Sequence, residues 1–165
     1  MNTLFYSFTI GTMLALILIF LIYFLRKTNK TQLQQVFSVD LILLITTCIF
    51  TFFQMQLSEK LNINPIYFSY FYYIGIVFFP VALYFTVEIL INKKIAFKSK
   101  YLLLFVIPLI CLIGLWTNNK TNLFFTNYSL NMNNCEFGIL FIINEIYACI
   151  LYIIEIVHLT KFFKN

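Results

Sequence analysis

The sequence predicts an all-α integral membrane protein, a bundle of five transmembrane helices, and three observations lead to this prediction. Apolar residues make up 62% of the 165 residues and charged residues only 10%, whereas about a quarter of the residues in soluble domains are charged. The apolar residues form five runs, each close to the roughly 20 residues that a bilayer-crossing helix needs. Basic residues lie in small clusters between the runs, so the formal charge of +5 indicates topology rather than nucleic-acid binding.

The apolar runs set the bounds of the predicted helices, which are residues 3–25, 36–57, 66–91, 101–116 and 139–159. The first run is too long for a signal peptide and is followed by "RKTNK" rather than by a small-residue cleavage site, so we expect a retained helix. The fourth run has only 16 residues. It would be about 24 Å long as an α-helix, so it must borrow flanking residues or thin the bilayer locally. All of residues 1–165 then form a single membrane-embedded domain.

Lysine and arginine predict the orientation of these helices. Nine basic residues lie in the first loop, the third loop and the C-terminal tail, against two, Lys60 and Lys120, in the alternate loops. Because cytoplasmic loops carry the excess of basic residues, we expect a multi-pass cell-membrane protein with its N-terminus outside and its C-terminus in the cytoplasm. Trp116 would then mark the outer interface, and the loop from Thr117 to Gly138 would face outward.

This predicted outer loop, residues 117–138, is the strongest candidate for a functional site. Long connections without regular structure are usually either functional or disordered. Phe124, Phe125 and Tyr128 argue against disorder, because apolar rings in water tend to cover a surface. Two interpretations stay open: an interfacial segment that lies on the lipid headgroups, and a lid over an outward-facing pocket between helices.

The fifth predicted helix carries polar residues that would lie beneath the loop. Asn144 and Glu155 differ by only about 20° around the helix, and Glu145 lies on the adjacent stripe, so this polar edge must turn away from lipid. Glu145 is then either a buried carboxyl bonded to a neighbouring helix or a contact for a ligand or proton. The candidate ligand-binding residues are three polar contacts, Asn118, Asn122 and Glu145, and three apolar walls, Tyr70, Trp116 and Phe124.

The remaining ionisable groups have simpler interpretations. The four that lie within about five residues of a predicted cytoplasmic helix end, where they can snorkel or pair with lysines, are Asp40, Glu88, Glu155 and His158. Glu155 and His158 have the i, i+3 spacing of metal ligands, but no second such motif occurs in the sequence, so we expect no metal and no cofactor. The four cysteines show no CxxC spacing and are interpreted as small apolar side chains.

Three short motifs resemble, in order, the seven-helix N-terminal input region of bacterial membrane histidine kinases, which also occurs ahead of diguanylate cyclases. They are "FPVALYFT" at 79–86, "LFVIP" at 104–108 and "TNNKTNLF" at 117–124, and Gly138 then opens the next helix. Pro80 and Pro108, within the first two motifs, are either kinks that line a cavity or tolerated kinks. The family commonly has a histidine where this chain has Thr121, so the chain either senses something else or lacks the role of that histidine.

The resemblance implies a sensory input module that perceives an extracytoplasmic or membrane-borne signal. Its partners would be the lipid bilayer, a small or lipophilic signal, and a partner helix or a second copy in a homodimer, with no nucleic acid. Such relatives carry seven crossings and then a cytoplasmic catalytic part, whereas this sequence has five apolar runs and stops at Asn165. We therefore expect an incomplete module, about the first five helices, that is not an enzyme and lacks its effector.

Two other functional classes are disfavoured by the sequence. A small transporter or channel subunit, or another helical membrane interaction protein, is the alternative, but transporters usually show inverted repeats or matched broken helices and this sequence shows neither. A membrane-embedded enzyme would need a nucleophile–base or metal constellation, and the sequence has no such set, no P-loop and no kinase signature.

Overall fold

The computed structural model describes residues 3–26, 30–57, 64–96, 98–129 and 134–164. Its elements are α1 (Thr3–Arg26), α2 (Gln32–Leu57), α3 (Ile66–Asn92), a 3-10 helix (Ser99–Phe105), α4 (Val106–Trp116), α5 (Asn118–Thr121), β1 (Phe125–Asn127), β2 (Glu136–Phe137) and α6 (Ile139–Lys164). Among these described residues, five helical segments are long and apolar enough to cross a membrane, which confirms the prediction of five candidate membrane-spanning helices. Lys27 and Lys60, which the charge argument uses, lie outside the described residues.

Capping residues, rather than apolar runs, set where α2 and α3 begin. The Thr31 hydroxyl accepts a hydrogen bond from the Gln34 amide at 3.3 Å, and the Thr31 amide donates to Gln34 Oε1 at 3.1 Å. This capping box starts α2 at Gln32, four residues before the predicted start. At α3, Asn64 Oδ1 accepts from the Ile66 amide at 3.1 Å, and Pro65 supplies a fixed φ at the position where its missing N–H costs nothing.

The chain divides into two compact units, Met1–Ile76 and Val77–Asn165, with the boundary inside α3. In the first unit, α1 packs against α2, and the rings of Phe24 and Phe37 meet edge to face at 5.3 Å. The first part of α3 approaches α2 at Gly75, where a Cβ atom would lie 2.4 Å from the Leu43 carbonyl oxygen. Only glycine allows so close a contact between the two backbones.

In the second unit, the later part of α3 contacts the 3-10 helix and α6. Phe85 of α3 stands between two rings of the 3-10 helix, with centroids 5.4 Å from Tyr101 and 6.1 Å from Phe105. α4 packs on α6. The fully or nearly fully buried apolar side chains of this core are Val77, Val81, Ile89, Cys111, Leu115 and Leu151.

The fourth crossing starts two residues earlier than predicted, as a 3-10 helix at Ser99, and becomes an α-helix at Val106. A 3-10 helix rises about 2.0 Å per residue, so its seven residues add about 14 Å to the roughly 16 Å of α4. The total of about 30 Å matches the hydrocarbon thickness of a bilayer. The fourth crossing therefore reaches this length because it includes flanking residues and because its first turns are a 3-10 helix, which is longer per residue than an α-helix.

Pro108 lies in the first turn of α4, and α6 supplies the hydrogen bond that the proline lacks. Without an N–H, Pro108 cannot donate to the carbonyl of Leu104, four residues earlier. The hydroxyl of Tyr147 on α6 donates to that carbonyl oxygen at 2.7 Å. This bond ties the start of the fourth crossing to the middle of α6.

Candidate functional site

The loop from Thr117 to Gly138 is folded at its described residues. Strands β1 and β2 pair antiparallel, with Phe125 opposite Phe137 and a bulge before Asn127 pairs with Glu136. The Thr126 hydroxyl donates to a carboxylate oxygen of Glu136 at 3.2 Å. Residues 130–133 lie outside the described ranges. The expectation of a connection without regular structure is therefore wrong, because this strand pair and a single helical turn, α5, satisfy part of the loop backbone.

The Asn118 side chain links α5 to the start of β1. Its Oδ1 accepts hydrogen bonds from the amides of Phe124 and Phe125, both at 2.9 Å, and its Nδ2 donates to the carbonyl of Phe125 at 3.0 Å. The side chain is only 4% exposed. Between them, Asn122 adopts a left-handed conformation with φ of 50°, which asparagine tolerates better than most residues and which turns the chain back.

Four aromatic rings of the loop and one ring of α6 form an aromatic cluster. Its members are Phe124, Phe125, Tyr128, Phe137 and Phe141. The Phe137 and Phe141 rings stack at 4.1 Å, and Phe124 meets Phe141 edge to face at 5.7 Å. Phe124 and Phe125 are 0% and 1% exposed. These contacts confirm the expectation that the rings of the loop cover a surface, and the surface is the first turn of α6.

The loop and the start of α6 share backbone hydrogen bonds. The Gly138 amide donates to the Phe124 carbonyl and the Leu140 amide to the Leu123 carbonyl, both at 2.9 Å. A Cβ atom on Gly138 would lie 2.3 Å from the carbonyl oxygen of Leu123. Two amides at the start of α6 that lack a partner within the helix are thus bonded to the loop. The first turn of α6 therefore packs directly on the loop backbone.

The predicted site residues are distributed unevenly. Asn118 and Phe124 are in direct contact and buried, and the Asn118 amide is largely committed to loop backbone. Asn122 and Trp116 are exposed in the same unit. Tyr70 is half-buried in the other unit. That these residues contact a ligand stays a prediction.

The polar edge of α6 turns inward only in part. Asn144 and Glu155 are 2% and 4% exposed, in line with the predicted edge. Glu145, however, is exposed. The expectation that Glu145 shares the inward edge is wrong, because one step of about 100° carries its side chain out of the packed face.

A second polar site lies at the opposite end of α6 and was missed by the sequence analysis. Glu88 of α3 pairs with His158 of α6, with Oε1 and Nδ1 2.6 Å apart. The Asn92 side chain donates to the other carboxylate oxygen at 3.0 Å. The sequence predicted that Glu88 and His158 snorkel or pair with lysines, whereas the structure pairs the two side chains with each other. Both residues were predicted to lie near a cytoplasmic helix end, but no pattern along the sequence pairs them, since they are 70 residues apart.

No cluster of three or more His, Cys, Asp or Glu side chains that could hold a metal ion occurs among the described residues.

The comparisons with known proteins give one match. A family model described as the N-terminal 7TM region of histidine kinase matches residues 7–165. No curated protein and no solved structure is significantly similar to the chain.

Proposed function

The chain belongs to the family of the N-terminal 7TM region of histidine kinases, and on that premise we propose that it is the sensory input module of such a kinase. The module perceives an extracytoplasmic or membrane-borne signal through the Thr117–Gly138 loop and carries out no chemistry itself. Family membership and five apolar helices support a membrane sensory role.

One observation carries the proposal: the loop is built onto the first residues of α6, and α6 continues without a break. The helix has 26 residues and is therefore about 39 Å long. Because Gly138 and Leu140 are bonded to the loop backbone, a displacement of the loop displaces the first turn of α6. A continuous helix passes a shift or tilt on to its far end, at Lys164.

The proposed chemistry of the signal rests on three exposed groups of the second unit. Asn122 offers an amide, Trp116 an indole ring and Glu145 a carboxylate, and all three are exposed. Such a set suits a small or lipophilic molecule that has an apolar body and one or two hydrogen-bonding groups.

The experiment loosens the loop and observes the far end of α6. A spin label carried by an unnatural amino acid replaces Phe163, which is exposed, in the full chain reconstituted in nanodiscs. We expect Asn118→Ala to change the mobility of this label, because three hydrogen bonds that fold the loop are lost. Asn119→Ala is the matched control, since Asn119 is the exposed neighbour. Identical spectra for the two variants, with helix content unchanged in both, would rule out transmission along α6.

The absence of catalysis is a separate part of the proposal and has its own test. The purified chain is incubated with labelled ATP, and we expect no transfer to protein, because the sequence has no phosphate-binding loop and no kinase signature. Reproducible label on His158 would contradict this part.

A further inference from the structure

A cleft opens between the last turns of α3 and α6, at the end of the second unit opposite the loop. Its volume is about 450 Å³, far more than the roughly 30 Å³ that one water molecule occupies. Each helix contributes three side chains at i, i+3 and i+4, which is one continuous face. The lining residues are Glu88, Ile91 and Asn92 from α3 and His158, Lys161 and Phe162 from α6.

The cleft has a floor of paired polar groups and a mixed rim. Glu88 is held by His158 and by Asn92, so both of its carboxylate oxygens are engaged. Lys161 lies one turn beyond His158, toward the end of the helix. Within the described ranges no carboxylate comes within 4.0 Å of its ammonium group. Because the Glu88 carboxylate is engaged by His158 and Asn92, the rim presents the charge of Lys161 beside two apolar side chains, Ile91 and Phe162.

The surroundings strengthen this positive character. Lys93, Lys94 and Lys164 follow directly on the same helix ends and are exposed. Lys93 has a left-handed backbone with φ of 60°, which ends α3 and turns the chain away. The potential at this end of the second unit thus favours an anion.

We infer that the α3–α6 cleft binds the headgroup of an anionic phospholipid. Lys161 and the N–H groups of His158 and Asn92 contact the phosphate, and Ile91 and Phe162 lie along the glycerol and the first part of the acyl chains. The ligand is a lipid rather than a free phosphate because two of the six lining side chains, Ile91 and Phe162, are apolar and the cleft lies where two membrane-crossing helices end. Basic pockets between helices at a membrane face are known to hold such headgroups.

The inference does not depend on which face of the membrane the cleft occupies, nor on the sensory role. It adds a role for the end of α6: a bound lipid bridges α3 and α6 alongside the Glu88–His158 pair. Loss of the lipid would leave the Glu88–His158 pair to link the two helix ends.

The test measures lipid retention by the full chain. The protein is reconstituted in phosphatidylcholine vesicles with one fifth phosphatidylglycerol, extracted in mild detergent and analysed by native mass spectrometry. We expect retained phosphatidylglycerol, and we expect Lys161→Ala to lower its retention about fivefold, the factor associated with one lysine beside an anionic headgroup. Lys161→Arg should keep most of the retention, because the charge remains.

Lys164→Ala is the matched control, since it removes the same charge from the same last turn but lies outside the cleft. Equal losses for Lys161→Ala and Lys164→Ala would overturn the inference and indicate only general attraction to a charged surface. Displacement of phosphatidylglycerol by millimolar glycerol phosphate would also overturn it, since the site would then be one for a soluble phosphate. Retention unchanged in Lys161→Ala would overturn it as well.

Discussion

Gly138 is the residue at which the loop backbone and α6 come closest. Replacing it by alanine places a methyl group 2.3 Å from the Leu123 carbonyl oxygen, where backbone rather than a flexible side chain must move. We expect Gly138→Ala to destabilise the chain by about 1 to 3 kcal/mol, the usual cost of overpacking a well-packed site. Thermal unfolding in nanodiscs, followed by circular dichroism, measures the shift.

Gly11 is the natural control for this substitution. It lies inside α1, and a Cβ atom there would meet nothing within 4 Å. Gly11→Ala should be neutral or stabilising by up to about 1 kcal/mol, because alanine loses less backbone entropy in a helix than glycine. Equal shifts in the two variants would show that the contact at Gly138 does not constrain the loop.

At the scale of elements, the bond between Tyr147 and Leu104 supports the start of the fourth crossing. Tyr147→Phe leaves the Leu104 carbonyl without this donor, and we expect a loss of about 0.6 to 1.7 kcal/mol, the range for hydrogen bonds between membrane helices. Tyr152→Phe is the control, since that hydroxyl has no hydrogen bond to any described residue. The thermal midpoint of each variant is the measurement.

Pro108 provides a rescue for the same bond. Pro108→Ala restores an N–H that can donate to the Leu104 carbonyl. In the Tyr147→Phe background it should therefore recover part of the lost stability, so that the two substitutions are not additive. Strict additivity would show that the carbonyl of Leu104 does not link the two residues.

The elements differ in how far the sequence could predict them. The five crossings follow from apolar runs that the bilayer demands, so their existence was predictable. The start of α2 was misplaced although Thr31 and Gln34 carry the capping-box signature, because hydrophobicity alone was used to place it. The strand pair in the loop was missed because its strands have only three and two residues, too few to show an alternation of apolar and polar side chains.

For the whole molecule, the orientation in the membrane is the central prediction. Nine basic residues against two predict that the third loop lies inside and the Thr117–Gly138 loop outside. In a background without the four native cysteines, a cysteine at Asn119 should react with an impermeant reagent in intact cells, and a cysteine at Lys98 should react only after lysis. The reverse pattern would invert the topology.

The candidate site was less predictable than the fold because it depends on which helix faces meet. Hydrophobic periodicity placed Asn144 and Glu155 on one buried stripe correctly. It could not show that Glu145 is exposed. Glu145 lies about 100° around the helix from Asn144, and whether a side chain at that angle is buried depends on which neighbouring helices pack there. Likewise, no one-dimensional pattern pairs Glu88 with His158, which lie 70 residues apart.

The hydrogen bonds of the Asn118 side chain also affect hydrogen exchange of the loop amides. Loop amides normally exchange rapidly because water reaches them, but those of Phe124 and Phe125 are bonded to a buried side chain and lie under their own buried rings. Their deuterium uptake should follow opening of the aromatic cluster rather than local fraying, so it should be as slow as that of the first turns of α6. The loop then behaves as an N-terminal extension of α6, and the two open as one unit.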